Sequence, residues 1–527
     1  RRSWAGFLPF LTPPPPAAPD PPLPSSISSA QPTTSPPTTL PRASPAAVAP
    51  QAAAMPPTST LPSTDPPPPS TPAPAPAPAP VTAKLQRPRH PLGLDTLASY
   101  ARSLFAAGRR SPVTTLVCAI ALLALVMYGE DARTIAELSI DDYLYPDADI
   151  YNVSGLPPIA LPPPTCNLGQ GRWVFDNTSV PLYREKECTT LSKQVTCLAN
   201  GRPDDKWQYW RWQPNNCSLP EFDARRFMER MRGKRLMFVG DSLNRNQWHS
   251  LVCMVQSVLS KGRTKVVKRG SLSIFHAKEY RATLEFYWAP FLVESNSDNP
   301  NFHTIVERII SPERIEGHAQ YWRGVDYLLF NTYIWWMNDQ EIKVRRPNSS
   351  SWSEHDEVPR MEAYGRVIKT WSDWLNENID PARTSVFFVT ISPLHNSPEQ
   401  WGNPNGIKCV KETLPVLNYT QPLDLNHDMR IYDMVKSTAE SMKKVPVTVI
   451  DITRMSDYRK DAHTSIYSFQ QGHLLTAKQK ADPQKFADCI HWCLPGVPDV
   501  WNQVLYTKIF SKSPPPPPTP TLSLPPQ

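Results

Sequence analysis

Short apolar runs alternate with longer amphipathic segments over the second half of the chain. Five runs have the length and the β-branched or aromatic content of buried strands, and they cover residues 235–239, 283–288, 326–330, 386–391 and 445–450. Residues 246–260 place their apolar side chains on one helical face. Strands that alternate with helices predict a mostly parallel sheet with helices on both faces. We therefore predict an α/β fold, a three-layer α/β/α sandwich over residues 221–511, with its active site where the strands end.

A different pattern, rich in tryptophan and cysteine, occupies residues 165–220. It combines four cysteines with Trp173, Trp207, Trp210 and Trp212. Such a short segment buries little core of its own, so we expect a small disulfide-stapled module that rests on the larger domain. Its rings could stack on sugars, although ordinary packing around disulfides explains the same composition.

Residues 111–129 form an apolar segment of 19 residues without a charge, which is close to the minimum for a helix that crosses a bilayer. Arg102, Arg109 and Arg110 precede this segment, whereas acidic residues predominate after it. This asymmetry predicts that the N-terminal arm, 1–110, stays cytosolic and that the rest is translocated. The expected topology is single-pass type II with a lumenal stem over 130–164. A buried core helix or a cleaved signal peptide is the alternative interpretation.

Composition distinguishes the ends of the chain from its centre. The 527 residues include 63 prolines, which concentrate in the arm 1–110 and in the tail 512–527. Proline-rich runs favour extended segments that bury no core, so we expect both ends to be disordered. Most of the formal charge of +7 lies in the N-terminal arm, and it therefore does not indicate a nucleic-acid-binding body.

Cysteine usage agrees with a lumenal location for the folded part. Eight of the nine cysteines follow the apolar segment, and this even number fits four disulfides: Cys166, Cys188, Cys197, Cys217, Cys253, Cys409, Cys489 and Cys493. Zinc is the competing interpretation, but no pair has the C-x-x-C spacing, so we predict no metal. Spacing alone leaves the pairing open. Five sequons would be available to lumenal glycosylation, at Asn152, Asn177, Asn216, Asn348 and Asn418.

The first predicted strand ends in Gly240-Asp241-Ser242, and a helix follows. A serine at a helix N-terminus lies beside free backbone N–H groups and the positive end of the helix dipole, which can stabilise an oxyanion. Asn244 replaces the second glycine of a G-x-S-x-G elbow. Taken alone, a serine in this place is most often an N-cap.

A serine nucleophile needs a base, and the base needs an orienting group. Asp488 and His491 near the C-terminal end offer both, because an Asp three residues before a His can share one side of a helical turn. A surface pair or half of a metal site is the alternative. If Cys489 and Cys493 both form disulfides, they would hold this segment against the body.

Together these features resemble the SGNH/GDSL esterase superfamily. Longer stretches are similar to the plant trichome birefringence-like proteins, in which a Cys-rich module precedes a catalytic domain: CNLGQGRWVFDNTSVPLYREKEC, LANGRPDDKWQYWRWQPNNCSLPEFD, FVGDSLNRNQWHSLVCM and DCIHWCLPGVPDVWN. The resemblance covers residues 165–510 and leaves out the proline-rich ends. It implies O-acetylation of cell-wall polysaccharides by type II Golgi membrane proteins with a lumenal catalytic domain. GIKCVKETLPVLN and ITRMSDYRKDAHTSIYS are most similar to the members that acetylate xylan.

The resemblance also implies roles for single residues. Ser242 is the expected acetyl-accepting nucleophile, His491 its base and Asp488 the orienting partner. The backbone N–H of Ser242 and the side chain of Asn331 are the expected oxyanion donors, although the separate oxyanion glycine of the superfamily has no clear equivalent. The expected partners are xylan or a related wall polysaccharide, an acetyl donor such as acetyl-CoA, and the Golgi membrane. No bound cofactor is expected, since no nucleotide-binding fingerprint occurs.

Several alternatives stay open at the level of the sequence. Arg245, Trp335 and Trp336 are candidate substrate contacts, yet structural ion pairs and core packing explain such residues equally well. A carbohydrate esterase, or deacetylase, would use the same three catalytic side chains with water as acceptor, and pectin or mannan could replace xylan. A non-enzymatic protein that binds wall polymers is a further alternative, which intact Ser242, Asp488 and His491 disfavour.

Overall fold

The computed structural model describes residues 157–302, 306–420, 423–470 and 472–512. The predicted arm, the apolar span 111–129, most of the stem and the tail from residue 513 lie outside the described residues. Within the described ranges no helix is long and apolar enough to cross a membrane. Asn152 also lies outside them, whereas Asn177, Asn216, Asn348 and Asn418 are exposed.

Strands and helices alternate through the described part of the chain. The strands are β1 (Gly171–Phe175), β2 (Trp210–Pro214), β3 (Arg235–Gly240), β4 (Thr264–Arg269), β5 (Leu272–Ala277), β6 (Ala282–Trp288), β7 (Ile309–Ile310), β8 (Tyr327–Phe330), β9 (Glu341–Arg345), β10 (His355–Pro359), β11 (Ser385–Val389), β12 (Val447–Ile450), β13 (His463–Ser465), β14 (Phe469–Gln470), β15 (His473–Leu474) and β16 (Asp488–Trp492). The α-helices are α1 (Ala224–Met231), α2 (Ser242–Gln256), α3 (Glu316–Ala319), α4 (Arg360–Asn378), α5 (Met429–Ser441), α6 (Thr453–Asp457), α7 (Ala477–Lys480), α8 (Pro483–Phe486) and α9 (Val497–Phe510).

A seven-stranded sheet in the order β12-β11-β8-β3-β6-β5-β4 forms the centre of the fold. The strands from β12 to β6 are parallel, and β5 and β4 add an antiparallel hairpin at one edge. All five predicted strands belong to the parallel part, so the prediction of a mostly parallel central sheet is confirmed. The edge hairpin was not predicted, because its partly exposed strands lack a continuous apolar run.

Helices cover both faces of this sheet. Trp371 of α4 packs edge-on against Phe330 of β8 and Phe388 of β11. The neighbouring Phe387 points to the opposite face, since successive strand residues alternate, and Lys512 just after α9 lies over its ring. Helix α2 packs against α1 and α9. Buried strands between two helical layers explain why β3 and β8 read as continuous apolar runs.

The Trp-rich module joins the same hydrophobic core as the sheet. Its strands β1 and β2 pair antiparallel, with Trp173 opposite Trp212. Both rings and that of Trp207 are buried in the core cluster that contains β3 and β8. The indole N–H of Trp207 donates to the carbonyl oxygen of Pro495, just before α9. Core packing is therefore the role that the structure gives these tryptophans.

Four disulfides connect the eight predicted cysteines, as expected. They are Cys166–Cys217 within the module, Cys188–Cys253 from the module to α2, Cys197–Cys493 from the module to the end of β16, and Cys409–Cys489 from a loop to β16. Because each of these sulfurs is bonded to another, none is available as a zinc ligand. Two of the four bonds hold the segment that carries Asp488 and His491.

Candidate active site

A sharp turn after β3 presents Ser242 as the first residue of α2. Gly240 allows this turn to lie against β8, because a Cβ atom at this position would be 2.4 Å from the backbone oxygen of Asn331. Asp241 caps the helix, and its carboxylate accepts a hydrogen bond from the N–H of Leu243 at 2.8 Å. Ser242 is thus a partly exposed residue at a helix N-terminus, on the carboxyl edge of the parallel strands.

Asp488 and His491 lie on strand β16, and the helical turn suggested by their spacing is wrong. Strand β16 pairs antiparallel with β13, with His463 opposite Trp492 and Ser465 opposite Asp488. Between these two pairs β16 has two more residues than β13, so the strand bulges. A bulge re-aims side chains, which allows residues three apart to meet on one side of a strand.

The three predicted side chains meet in one hydrogen-bonded row. The Oγ atom of Ser242 lies 2.7 Å from Nε2 of His491, and Nδ1 of His491 lies 2.9 Å from Oδ2 of Asp488. Because the carboxylate can only accept, Nδ1 carries the imidazole proton and Nε2 accepts from the serine hydroxyl. His491 and Asp488 are buried, whereas Ser242 reaches the surface. A serine in this state can lose its proton to the imidazole as it attacks a carbonyl.

Asp488 is kept ionised by its contacts in spite of its burial. Burial opposes the charge, but His491 and the N–H groups of Ile490 and His491 hold the pKa of the Asp488 carboxyl well below its usual range. These N–H groups donate to Oδ1 at 3.1 and 3.0 Å, and the Ser468 hydroxyl donates to Oδ2 at 3.1 Å. The anion can therefore stabilise an imidazolium at His491 when it forms.

Helix α2 and strand β16 are joined directly beside the row. The backbone N–H of Trp492 donates to Oδ1 of Asn246 at 2.8 Å. Asn246 is four residues after Ser242, on the same face of α2. This bond holds His491 and Ser242 at a fixed separation. In the sequence it is indicated by two polar residues, Ser242 and Asn246, spaced four apart on a buried helix.

The expected oxyanion donors differ in their availability. As the first residue of α2, Ser242 has an N–H that the i→i−4 pattern of the helix does not use. The side-chain amide of Asn331 donates to the carbonyl oxygens of Val389 and Thr390, at 3.1 and 3.3 Å. Asn331 therefore joins the ends of β8 and β11 in this structure. An oxyanion role would require its amide to exchange these partners, and it stays a prediction.

Trp335 and Trp336, two of the candidate substrate contacts, are both buried. Trp336 is 2% exposed and donates its indole N–H to the Thr332 hydroxyl, so neither of its faces is open for stacking on a sugar. Trp335 is also buried, and the Arg308 guanidinium lies 4.2 Å from its ring centroid. Both tryptophans border a cavity of about 390 Å³. Core packing, the plainer interpretation, therefore holds for Trp336.

Arg245 lies three residues after Ser242, in the first turn of α2. Its guanidinium donates to Oε1 of Gln194 in the Trp-rich module at 3.3 Å and lies 5.9 Å from the ring centroid of Trp288. Burial lowers the pKa of Arg245 to about 10, and nearby Asp241 opposes the shift. The side chain therefore keeps its positive charge at neutral pH and remains a candidate contact for substrate or donor.

Two buried histidines behind the row were not predicted as a pair. Nδ1 of His395 lies 2.7 Å from Nε2 of His463, and Nδ1 of His463 lies 3.2 Å from the backbone oxygen of His491. Burial lowers the pKa of His395 to about 3 and that of His463 well below its usual value. The pair supports the main chain at His491, and no local pattern indicates it because its members are far apart in the sequence.

Comparison with protein families places this site in a known context. A family described as the GDSL/SGNH-like acyl-esterase family found in Pmr5 and Cas1p matches residues 219–508, and the PMR5 N-terminal domain matches residues 164–218. The chain belongs to this acyl-esterase family. The predicted resemblance to SGNH/GDSL and trichome birefringence-like proteins is thereby confirmed.

Similar curated proteins come from two plants. Xylan O-acetyltransferase 4 of Oryza sativa subsp. japonica is 79% identical over 437 residues, which are 83% of this chain and 91% of that protein. Xylan O-acetyltransferase 3 of the same plant is 80% identical over 406 residues, 77% of this chain and 89% of that protein. Protein trichome birefringence-like 3 of Arabidopsis thaliana is 42% identical over 344 residues, 65% of this chain and 79% of that protein.

Proposed function

We propose that this protein transfers acetyl groups to hydroxyls of xylan through an acetyl-serine at Ser242. The observation that carries the proposal is the 2.7 Å contact between Ser242 Oγ and His491 Nε2, in line with Asp488. The choice of xylan as acceptor rests on the names of the rice relatives, which share about four fifths of their aligned residues with this chain.

The proposed reaction has two steps that use the same imidazole. His491 takes the Ser242 proton as Oγ attacks the acetyl carbonyl, and the backbone N–H of Ser242 at the start of α2 stabilises the oxyanion. The leaving group of the donor departs with that proton, which leaves acetyl-serine. A xylosyl hydroxyl then gives its proton to His491 and attacks the acetyl group, and the proton returns to Ser242. Asp488 stabilises the imidazolium in both steps.

The proposal also includes a location. Four disulfides suit an oxidising compartment, and a lumenal catalytic domain held by a single type II span in the Golgi membrane would meet newly made wall polysaccharide. An acetyl donor must reach this domain from the membrane or the lumen, and acetyl-CoA is one candidate. Arg245, charged and adjacent to Ser242, is the proposed contact for the donor or the sugar.

Acetyl transfer from a donor to unmodified xylo-oligosaccharides tests the proposal. We expect Ser242→Ala to lower the rate by about 10⁴-fold or more, as in other serine triads. Ser437→Ala, an exposed position on α5, is the matched control and should keep the wild-type rate. A Ser242→Ala variant that transfers acetyl groups at a near-normal rate would overturn the mechanism. Release of acetate from acetylated xylan without any transfer would instead indicate an esterase.

A further inference from the structure

A second concave site lies at the opposite edge of the sheet from Ser242. All strands of a parallel sheet start at one edge, and here Lys234 precedes β3, Tyr327 begins β8, Ser385 begins β11 and Pro446 precedes β12. These four residues line a cavity of about 270 Å³. Ser242 follows the far end of β3, so the length of that strand, roughly 20 Å, separates the two sites.

The cavity is positively charged. Its lining contains one carboxylate, Asp326, and four cationic side chains, Arg230, Lys234, Arg383 and Lys512. The carboxylate is already an acceptor within the fold, because its Oδ2 takes the backbone N–H of Arg235 at 2.9 Å. One negative charge offsets one of the four cations, and the remaining positive charge favours an anionic ligand.

Two lining residues have buried donors without a hydrogen-bond partner among the described residues, Nε of Arg230 and Oη of Tyr327. Tyr327 is 5% exposed, and its hydroxyl proton has no acceptor among the described residues. Nη2 of Arg230 donates to the backbone oxygens of Ile509 and Lys512, at 3.5 and 3.0 Å, which fixes the guanidinium at the end of α9. Buried donors without acceptors are unfavourable, and an anion in the cavity would satisfy them.

Two ammonium groups of the cavity rest on aromatic rings. Nζ of Lys234 lies 5.6 Å from the ring centroid of Tyr327, and Nζ of Lys512 lies 4.8 Å from that of Phe387. Burial lowers the pKa of both lysines. A bound anion would offset the cost of holding these charges away from water.

We propose that this cavity binds a phosphate group, either free or as part of a larger molecule. The donors come from α1, from the starts of β3 and β8, and from the segment after α9, so they approach from several directions. A phosphate presents oxygens in several directions, whereas a carboxylate presents two in one plane. The cavity is separate from the row of Ser242, His491 and Asp488, and the test of phosphate binding does not depend on catalytic activity.

Calorimetric titration of the detergent-solubilised full chain with inorganic phosphate tests this proposal. We expect saturable binding that the double variant Lys234→Gln with Lys512→Gln weakens roughly hundredfold, since each charge-assisted hydrogen bond contributes about tenfold. The matched control replaces Lys261 and Lys478, both exposed, with glutamine and removes the same charge. It should bind phosphate as wild type does.

Further probes identify the source of the phosphate. Tighter binding of glycerol 3-phosphate than of inorganic phosphate would indicate a lipid headgroup, and the reverse order a free anion. Arg383→Gln changes an exposed cation and should weaken binding several-fold even if the double variant fails to fold. Wild-type protein that binds none of these probes, or pocket and control variants that bind them equally well, would overturn the proposal.

Discussion

Asp488 uses both carboxylate oxygens, and this explains how it orients an imidazole three residues away. Oδ1 holds the backbone N–H of His491, and Oδ2 holds the ring Nδ1. Ser468 supports Oδ2 from the other side. The carboxylate of Asp488 therefore fixes both the position of the His491 ring and its tautomer. A mutation that keeps the shape of Asp488 but removes its charge separates these two effects.

Replacement of Asp488 by asparagine should abolish most of the activity with little change in shape. An amide at this position favours the wrong imidazole tautomer, and we expect kcat for acetyl transfer to fall by about 10⁴-fold. Ser468→Ala keeps the carboxylate and should cost much less. Steady-state kinetics of both variants check this, and an Asp488→Asn enzyme with wild-type kcat would show that His491 is oriented by something else.

The pKa of Asp241, the residue before Ser242, predicts a pH-dependent stability. Burial raises its pKa to about 6, against the opposing hydrogen bonds from Leu243 and Asn244. Asp241 therefore binds a proton at a higher pH in the folded protein than in the unfolded chain. Its contribution to the free energy of unfolding increases as the pH falls through 6 and disappears as the pH rises through 6. We expect a gain of about 1 kcal/mol between roughly pH 7 and pH 5 from this group.

Chemical denaturation at several pH values measures this contribution. Asp241→Asn keeps the cap oxygen for the Leu243 N–H but cannot titrate, so its unfolding free energy should change less across this range than that of wild type. Asp433→Asn, at an exposed position, is the control and should keep the wild-type slope. Equal slopes in all three proteins would mean that Asp241 is ionised throughout.

Among single residues, the sequence led to Ser242, His491 and Asp488, and the structure brings these three side chains together. Their catalytic roles stay a prediction. Trp336 and Asn331 were less predictable, because their roles depend on neighbours from other strands. The partners of Asn331 are carbonyl oxygens at the end of β11, and no local pattern indicates them.

Strand β16 carries two catalytic candidates, and a disulfide follows each of them closely. Cys489 lies directly after Asp488 and is bonded to Cys409, while Cys493 follows Trp492 and is bonded to Cys197. These bonds add covalent constraints to a buried strand of five residues that also pairs with the short β13 and accepts support from Asn246 of α2. The two disulfides therefore help to position Asp488 and His491 and also stabilise the fold.

Loss of the Cys409–Cys489 bond should lower both stability and kcat. This bond closes a span of 80 residues, and Cys166–Cys217, far from the row, closes one of 51. Loop entropy gives similar losses of about 4 kcal/mol for the two paired Cys→Ser variants. Only the first should also reduce kcat, measured at a temperature where both remain folded. Equal kcat in the two variants would contradict a positioning role for the bond.

Strands with a continuous apolar run could be predicted from the sequence, whereas the short Asp-x-x-His segment could not be assigned correctly. The five parallel strands were found because each is an apolar run: four of them are largely buried on both faces, and the edge strand β12 is partly buried. The Asp-x-x-His segment was interpreted as a helical turn, since its spacing suits a turn and a bulged strand equally well. Only the pairing with β13, which is remote in the sequence, decides between the two.

At the scale of the whole molecule, the Trp-rich module and the sheet share one core. Trp173 and Trp207 pack in the same cluster as β3, and Cys197–Cys493 links the module to the end of β16. The number of disulfides could be predicted from an even cysteine count. Their pairing could not, because it depends on how distant segments approach each other in the folded chain.

In the proposed reaction Ser242 carries the acetyl group between donor and sugar. The most direct test incubates the full chain with p-nitrophenyl acetate as donor and no sugar, quenches in acid, and locates acetyl groups by mass spectrometry of peptides. We predict that Ser242 becomes acetylated and that the Ser242→Ala variant carries no acetyl group at this position. Xylo-oligosaccharides added afterwards should remove the acetyl group from Ser242 and become acetylated themselves. Acetyl transfer to the sugar while Ser242 stays unmodified, or an acetyl-serine that the sugar cannot discharge, would contradict an acetyl-serine intermediate at Ser242.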